Sequence, residues 1–321
     1  MNGRLVAAAL CALLSTPALA QTADDYPNRP VKLVVGFPPG ASGDLLSRAV
    51  GGRLSQTMGQ PIVIENRPGA SSSIAAEAAA RAPKDGYTLF LGTVANVVNA
   101  AITPNLSFDF AKDFVPIGLA ATVPVMLVVH PSTNVSNVKE LIALAKAKPG
   151  TLLYASSGVA TTPHLAGALL NAQAGIDLRH VPYQGAPAAV TDLIAGRTQV
   201  MFSSAATVWP HVQAGSLRAL AWAAPKRAAI APDLPTVAEL GMPDLDASIW
   251  FGLMAPHGTP QPIVDKLGRE LNAVLQSPEL LGVLAKQGYE PLGGTPADFS
   301  RTIDAEMKKW KAAVEVAGVR K

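Results

Sequence analysis

Apolar residues along this chain recur in two alternating rhythms. A short β-branched or apolar run ends in small polar residues, and a stretch with apolar positions three or four apart follows. The first such unit is VKLVVGF, then PPGASG, then a helix opened by Asp44. The second is PIVIE, NRPGASSS and IAAEAAARA, and the third is YTLFLG, TVAN and a short helical stretch. Later units are TLLYAS–SGVATT–PHLAGALLNAQAG, RHVPYQGA–PAAVTDLIAG and QVMFSSA–TVWPHVQAG. Strands alternating with helices predict an α/β fold with largely parallel sheets. The units share no fixed period, which excludes a solenoid.

Helix starts are marked by proline. Thr162-Pro163, Ala186-Pro187, Ser277-Pro278 and Thr295-Pro296 place Pro at or near the first helical position, where its missing N–H costs nothing. In three of the four a hydroxyl precedes it as the expected N-cap, Thr162 among them. From Thr295 onward, Phe299, Ile303, Met307, Trp310 and Val314 lie three or four apart and predict one long helix with an apolar face. Trp310 on that face reads as core.

The first twenty residues read differently. MNGRLVAAALCALLSTPALA carries one positive charge, Arg4, an apolar run from Leu5 to Leu14 and a small-x-small end at Ala18-Leu19-Ala20. This is the pattern of a secretory signal peptide over residues 1–20, with a run too short to span a bilayer. Cys11 is the chain's one cysteine and lies inside that leader, so disulfide and thiol chemistry are excluded from the expected mature protein. An exported, periplasmic protein is expected.

Length and composition widen the picture. At 321 residues, two lobes are expected, and 49% hydrophobic against 15% charged residues argues against disorder. The formal net charge is +3, but lysines and arginines form no stripe beyond pairs such as Lys308-Lys309, which argues against nucleic acid.

In open α/β sheets, ligands sit beyond the carboxyl ends of the strands, where all six polar loops fall. Free N–H groups and a partial positive charge at helix starts suit an anion. The loops add the hydroxyls of Ser42, Ser71, Ser72, Ser73, Thr93, Ser156, Ser157, Thr161, Thr162, Ser203 and Ser204, with Arg67 and Asp44 as their only ionisable side chains. A carboxylate fits such loops better than a polyphosphate, which would recruit Lys, Arg or a metal. Serine and glycine also simply make turns and caps, and any one loop reads that way. Six at one topological position point to a site.

Other signals fail. No Gly-Lys-Ser/Thr follows Gly36 and Gly40, GASGD lacks the spacing of a nucleophile elbow, and the S-x-x-K match at Ser136–Lys139 has no companion motifs. His130, His164, His180, His211 and His257 include no pair at metal-ligand spacing, so neither a metal nor a cofactor is expected. His164, in the first turn of its helix, could face a ligand or be an ordinary core histidine. His180 and His211 read as structural.

With these residues in view, the chain resembles the Bug family, periplasmic solute-binding proteins of tripartite tricarboxylate transporters. The resemblance runs through YPNRPVKLVVGFPPGASGD, GQPIVIENRPGA, KDGYTLFLGT, KDFVPIGLAATVPVMLVVHP, KAKPGTLLYASSG, RHVPYQGAPAAVTDLIAG, AGSLRALA, DLPTVAELG and WFGLMAPHGTP. It implies a two-lobed periplasmic-binding-protein fold (type II), each lobe a largely parallel sheet flanked by helices, closing on a carboxylate in the interdomain cleft. Carried onto this chain, it implies ligand contacts from Phe37, Gly40, Ala41, Ser42, Asp44, Ser71, Ser72, Ser73 and Thr93 in the first lobe. The second lobe would supply Ser156, Ser157, Gly158, Thr161, Thr162, His164 and Ser203. Asp44 would cap its helix and fix the loop rather than touch the anion directly. The chain departs from the family pattern at Ala41, at Ser71–Ser73 in place of a Gly-rich turn, and at Ser203 in place of aspartate.

The expected organisation is a leader over 1–20, lobe 1 over 26–124 plus about 225–321, and lobe 2 from 125 to about 224. The outward crossing is expected near Val123 to Val129, and the return between Leu217 and Trp250. The resemblance implies a monomeric, non-enzymatic binding protein that delivers a dicarboxylate or aromatic acid to the membrane subunits of a tripartite tricarboxylate transporter. A ligand sensor docking on a receptor kinase and an exported serine hydrolase using a loop serine with His164 are the alternatives.

Overall fold

The computed structural model of the protein describes residues 25–103 and 106–317. The expected leader and Cys11 lie outside the described residues. The chain begins with β1 (Val31–Val35), α1 (Ser42–Met58), β2 (Ile62–Asn66), α2 (Ser73–Ala80), β3 (Thr88–Thr93) and α3 (Val94–Ile102). The strand–helix alternation read from the sequence is therefore present here, and β2, β1 and β3 pair in parallel.

Two strands without a helix between them come next. β4 (Phe114–Val123) and β5 (Val125–Val129) are separated only by Pro124, and they belong to different sheets. The alternation then resumes with α4 (Val138–Ala147), β6 (Leu153–Ser156), α5 (Thr162–Ala174), β7 (Arg179–Pro182), α6 (Ala186–Ile194), β8 (Val200–Ser204), α7 (Ala205–Gln213) and β9 (Arg218–Ala223). β10 (Ile249–Pro256) returns to the first sheet, and α8 (Gln261–Leu275), α9 (Pro278–Lys286), β11 (Glu290–Gly293) and α10 (Pro296–Ala317) complete the chain.

The result is a two-lobed α/β fold with a six-stranded sheet, β11-β4-β10-β3-β1-β2, and a five-stranded sheet, β7-β6-β8-β5-β9. Most strands of each sheet run in one direction, as expected, and three are set against them. β10 runs antiparallel between β3 and β4, β11 is antiparallel to β4, and β5 is antiparallel to both β8 and β9. Parallel neighbours need a crossover long enough to hold a helix. β5, which follows β4 after a single residue, and β10, which brings the chain back, have no such crossover and insert the other way round.

Helices cover both faces of each sheet. α1, α8 and α9 bury Leu46, Val50, Leu54, Leu267, Leu271 and Leu284 on one face of the first sheet. α2, α3 and α10 cover its other face around Phe90, Val97, Phe114, Phe299 and Trp310. α4 and α5 pack Leu141, Ala145, Ala166 and Leu169 on the second sheet. The apolar face expected for α10 is confirmed: Phe299, Ile303 and Trp310 are buried, and Met307 and Val314 pack beside them. Trp310 is core, with its Nε1–H donating to Glu306 Oε2 at 2.7 Å. α10 also reaches α5 and so touches helices of both sheets.

Candidate functional site

Between the two sheets lies a narrow cavity lined by Phe37, Ala41, Ser42, Thr93, Ala95, Ser157, Thr161, Thr162, Pro163, Ala186, Ser203, Ser204, Ile249 and Phe251. A more open groove adjoins it, sharing Phe37 and Ser157 and continuing over Ser71, Ser72, Gly158, Tyr183 and Gly185. All six polar loops converge on these two spaces. The first turns or caps of five helices, α1, α3, α5, α6 and α7, line the inner cavity. No lining residue of that cavity is ionisable. Helix starts present unpaired N–H groups and partial positive charge, each favouring an anion by about 0.3–1 kcal/mol at exposed ends and up to about 2 kcal/mol when partly buried.

The first loop is shaped by Asp44. Helix α1 begins at Ser42 behind an extended Ala41, so Asp44 is its third residue and not its opening one. From there the buried carboxylate reaches back past the N-cap Ala41 to accept the Gly40 N–H at 2.9 Å, and Gly40 adopts φ +81°. Asn66 donates to Asp44 Oδ1 and to the Phe37 carbonyl, both at 2.9 Å, and Arg48 pairs with the same carboxylate at 2.9 Å. Burial pushes the Asp44 carboxyl up, but the hydrogen bonds from Arg48, Gly40 and Asn66 outweigh it and hold it below the usual carboxylate range. Tyr289 Oη donates to the Ser42 carbonyl at 2.5 Å and anchors the start of α1.

The second loop presses against the first. A β-carbon on Gly36 would lie 1.9 Å from Ser72 Oγ, so glycine is required for this approach. Ala70, Ser71 and Ser72 take φ of +45°, +52° and +75° in succession, a left-handed path costing L-residues roughly 1–2 kcal/mol each. The serines that replace a glycine-rich turn therefore carry strain. Ser71 Oγ donates to the Val159 carbonyl on the facing loop. Ser73 is turned to Asn99 and Arg67 to Glu65, both away from the cavity wall.

In the third loop the Thr93 N–H donates to Asn96 Oδ1 at 3.1 Å. The Thr93 side chain faces the Asn96 backbone as the other half of a capping box, but its buried Oγ1 makes no hydrogen bond of full geometry. Ser203 Oγ, across the cavity on β8, is likewise buried and unpartnered. Two orphaned hydroxyls thus line the cavity wall from opposite sheets. Such groups are uncommon in native interiors, and a ligand atom is one way to satisfy them.

The fourth loop follows β6. Thr161, extended at φ −100°, is the N-cap of α5, so the cap expected at Thr162 falls one residue earlier. Proline is tolerated at either of the first helical positions because neither N–H has an intrahelical partner. Thr161 Oγ1 donates to the Gly158 carbonyl at 2.7 Å. Ser156 and His164 do not line the cavity: Ser156 Oγ contacts His180 Nε2 at 2.6 Å, and His164 Nδ1 accepts the Ala160 N–H at 3.3 Å. The serine–histidine contact is fully buried at Ser156 and so offers no nucleophile to a substrate.

The structure thus brings Phe37, Ala41, Ser42, Thr93, Ser157, Thr161, Thr162 and Ser203 to the inner cavity and Ser71, Ser72 and Gly158 to the groove, while Gly40, Asp44, Ser73, Ser156 and His164 stand behind the wall. Sequence reasoning missed Ile249 and Phe251. They sit at the amino end of β10, and the rule it applied places ligands at carboxyl ends. Because β10 runs antiparallel, with Phe251 paired to Thr93 and Ile249 to Val123, its amino end reaches the same edge. An aromatic residue opening a strand without a following polar loop was the available signal.

Residues 46–319 match the family model described as the tripartite tricarboxylate transporter family receptor. Protein BugT of Bordetella pertussis is 34% identical over 324 residues, covering 100% of this chain and 99% of that protein. Among solved structures, R. palustris Rpa4515 with adipate is 37% identical with a TM-score of 0.89, over 92% of this chain and 99% of that one. MatC from Rhodopseudomonas palustris with bound malate is 30% identical with a TM-score of 0.84, over 90% and 100% of the two chains. Among the described residues of this chain, no helix is long and apolar enough to cross a membrane.

Proposed function

The chain belongs to the tripartite tricarboxylate transporter receptor family, whose members are solute-binding proteins and not enzymes. From that premise we propose that it captures a small organic carboxylate, a dicarboxylate or an aromatic acid, between its two lobes and delivers it to the membrane subunits of such a transporter. The observation that carries this reading is the convergence of five helix starts on a cavity with no ionisable side chain. The anion would be held by backbone N–H groups and by Ser42, Thr93, Ser157, Thr161, Thr162 and Ser203, with water in the groove beside Ser71, Ser72 and Gly158. Phe37, Ile249 and Phe251 would cover its apolar body. Adipate and malate in the two similar structures support a carboxylate.

The proposed ligand lacks an amino group. A buried ammonium needs a paired carboxylate, and leaving it unpaired costs several kcal/mol. Asp44, the nearest candidate, is committed to Gly40, Arg48 and Asn66.

Lobe 1 is proposed to comprise 26–124 and about 225–321, and lobe 2 residues 125 to about 224. The hinge would lie at Pro124 and in the segment between β9 and β10. Export through the leader at 1–20, a periplasmic location and a monomeric state belong to the same proposal. Native mass spectrometry of the exported protein, followed by calorimetric titration, tests it. One bound carboxylate per chain, recovered unchanged, is expected. Turnover of the ligand, or no binding across dicarboxylates and aromatic acids, contradicts it.

A further inference from the structure

Beneath the fourth loop three rings are stacked. His180 on β7 lies between Tyr154 on β6, at 4.8 Å between centroids, and His164 on α5, at 4.0 Å. We propose that the two imidazoles are positioning residues for the cleft loop 156–162, and that the loop keeps its shape while His164 is uncharged and is released when His164 takes up a proton in acid. The effect on ligand affinity rests on the carboxylate-binding reading above, and the effect on loop shape does not.

Each ring grips the loop by a different hydrogen bond. His180 Nε2 meets Ser156 Oγ at 2.6 Å, and that oxygen accepts the Gly158 N–H at 3.2 Å. His164 is the third residue of its helix and reaches back past the N-cap Thr161 to accept the Ala160 N–H at 3.3 Å. The two grips bracket the backbone that most needs support: Gly158 has φ +140° and Ala160, a residue with a β-carbon, has φ +64°. Ser157 and Thr161, on either side of that kink, line the cavity.

The proton logic follows from the donors. Because His164 Nδ1 accepts the Ala160 N–H, a neutral His164 carries its proton on Nε2. Protonation at Nδ1 would set one donor against another and expel Ala160. It would also place a cation against the face of His180, in a site where β6, β7 and α5 present only Tyr154 as a further titratable contact. Tyr154 Oη is itself engaged, donating to the His164 carbonyl at 3.2 Å. Arg179, next to His180 on β7, lies by the Gly150 turn with Asp177. Among the described residues, no carboxylate acts on either ring to stabilise a charged form. Burial holds His164 at about 4, and burial together with His164 holds His180 at about 3.

The test uses the mature chain, isotope-labelled, with the Gly158 and Ala160 amide resonances followed from pH 7.5 to 3.5 without ligand, and adipate affinity measured by calorimetry at pH 7.5. In wild type the two amides should move together with the His164 ring resonances. His164→Ala should show displaced amides already at pH 7.5 and bind adipate about tenfold more weakly, the scale of one lost hydrogen bond, with circular dichroism unchanged. His164→Gln, whose carboxamide oxygen accepts the Ala160 N–H at any pH, should restore the neutral Ala160 amide position and abolish its acid response. An unmoved Ala160 amide in His164→Ala, or an acid response of Ala160 surviving in His164→Gln, overturns the proposal. Should adipate fail to bind wild type at pH 7.5, that result counts against the dicarboxylate reading, and the amide measurement still decides the histidine role.

Discussion

Ser71 donates its hydroxyl to the carbonyl of Val159 and so joins the loop after β2 to the loop after β6 across the mouth of the cleft. The bond links the two sheets directly. It is made by a residue whose backbone lies in the left-handed region, at φ +52°. Pro38 and Gly185 meet at the same mouth, close enough that a β-carbon on Gly185 would lie 2.4 Å from the proline ring. Ser71→Ala should therefore favour the open arrangement. Small-angle scattering of the ligand-free variant is expected to give a larger radius of gyration than wild type. An identical profile would show that this bond does not hold the lobes together.

The orphaned hydroxyls give opposite signs for stability and binding. Ser203 Oγ and Thr93 Oγ1 are buried without partners. Removing an unsatisfied buried group relieves a cost of about 1–3 kcal/mol. Ser203→Ala should leave the free protein as stable or more stable, yet weaken carboxylate binding by the roughly 0.5–1.5 kcal/mol of one hydrogen bond. Thermal melts and calorimetry on the same preparation check this. Unchanged affinity would remove Ser203 from the site.

Asp44 should matter for the fold first and for the ligand second. Asp44→Ala removes the acceptor of the Gly40 N–H and the partners of Arg48 and Asn66. A hydrogen bond to a charged group contributes about 1.5–3 kcal/mol, and a loss of that size is expected in urea unfolding. Because the carboxyl is held below its usual range, this stabilisation is present above pH 4 and is lost as pH falls through the lowered value. Equal unfolding midpoints for variant and wild type would contradict this role.

The histidine pair acts in a higher pH window. In the unfolded chain His164 and His180 take up protons near pH 6.5, whereas in the fold they stay neutral to about 4 and about 3. The unfolded state thus binds more protons between these values, and stability falls with pH from about 6.5 downward. Between pH 6.5 and 5 the Asp44 contribution is constant, which isolates the histidines. The double variant His164→Gln, His180→Gln should show a flatter stability profile across that interval than wild type. A slope as steep as wild type in the variant would assign the effect elsewhere.

Much of this was legible in the chain because local chemistry and fold agree. VKLVVGF followed by PPGASG could form only a strand, a turn and a helix start, and all six such loops meet at the cleft. The direction of β5, β10 and β11 was not legible, since an apolar run says nothing of which way it lies beside its neighbour. That gap hid Ile249 and Phe251, whose place in the cavity depends on β10 being antiparallel. His180 read as an unremarkable strand residue because its partners, Tyr154 and His164, come from two other elements. Asp44 read as a helix opener, where the backbone places it three residues in and bonded back to Gly40.

The neutral, anion-favouring cavity is tested most directly by a thermal-shift comparison of matched ligands: succinate with aspartate, glutarate with glutamate, and adipate, malate and benzoate beside them. Occupancy at a hundred times the dissociation constant stabilises a fold by about 2.7 kcal/mol, enough to raise the melting temperature by a few degrees. The account predicts that at least one acid without an amino group raises the melt, and that aspartate and glutamate do not. A melt raised by aspartate or glutamate and left unmoved by succinate and glutarate would contradict it, and would make Asp44 the first residue to re-examine as an ammonium partner.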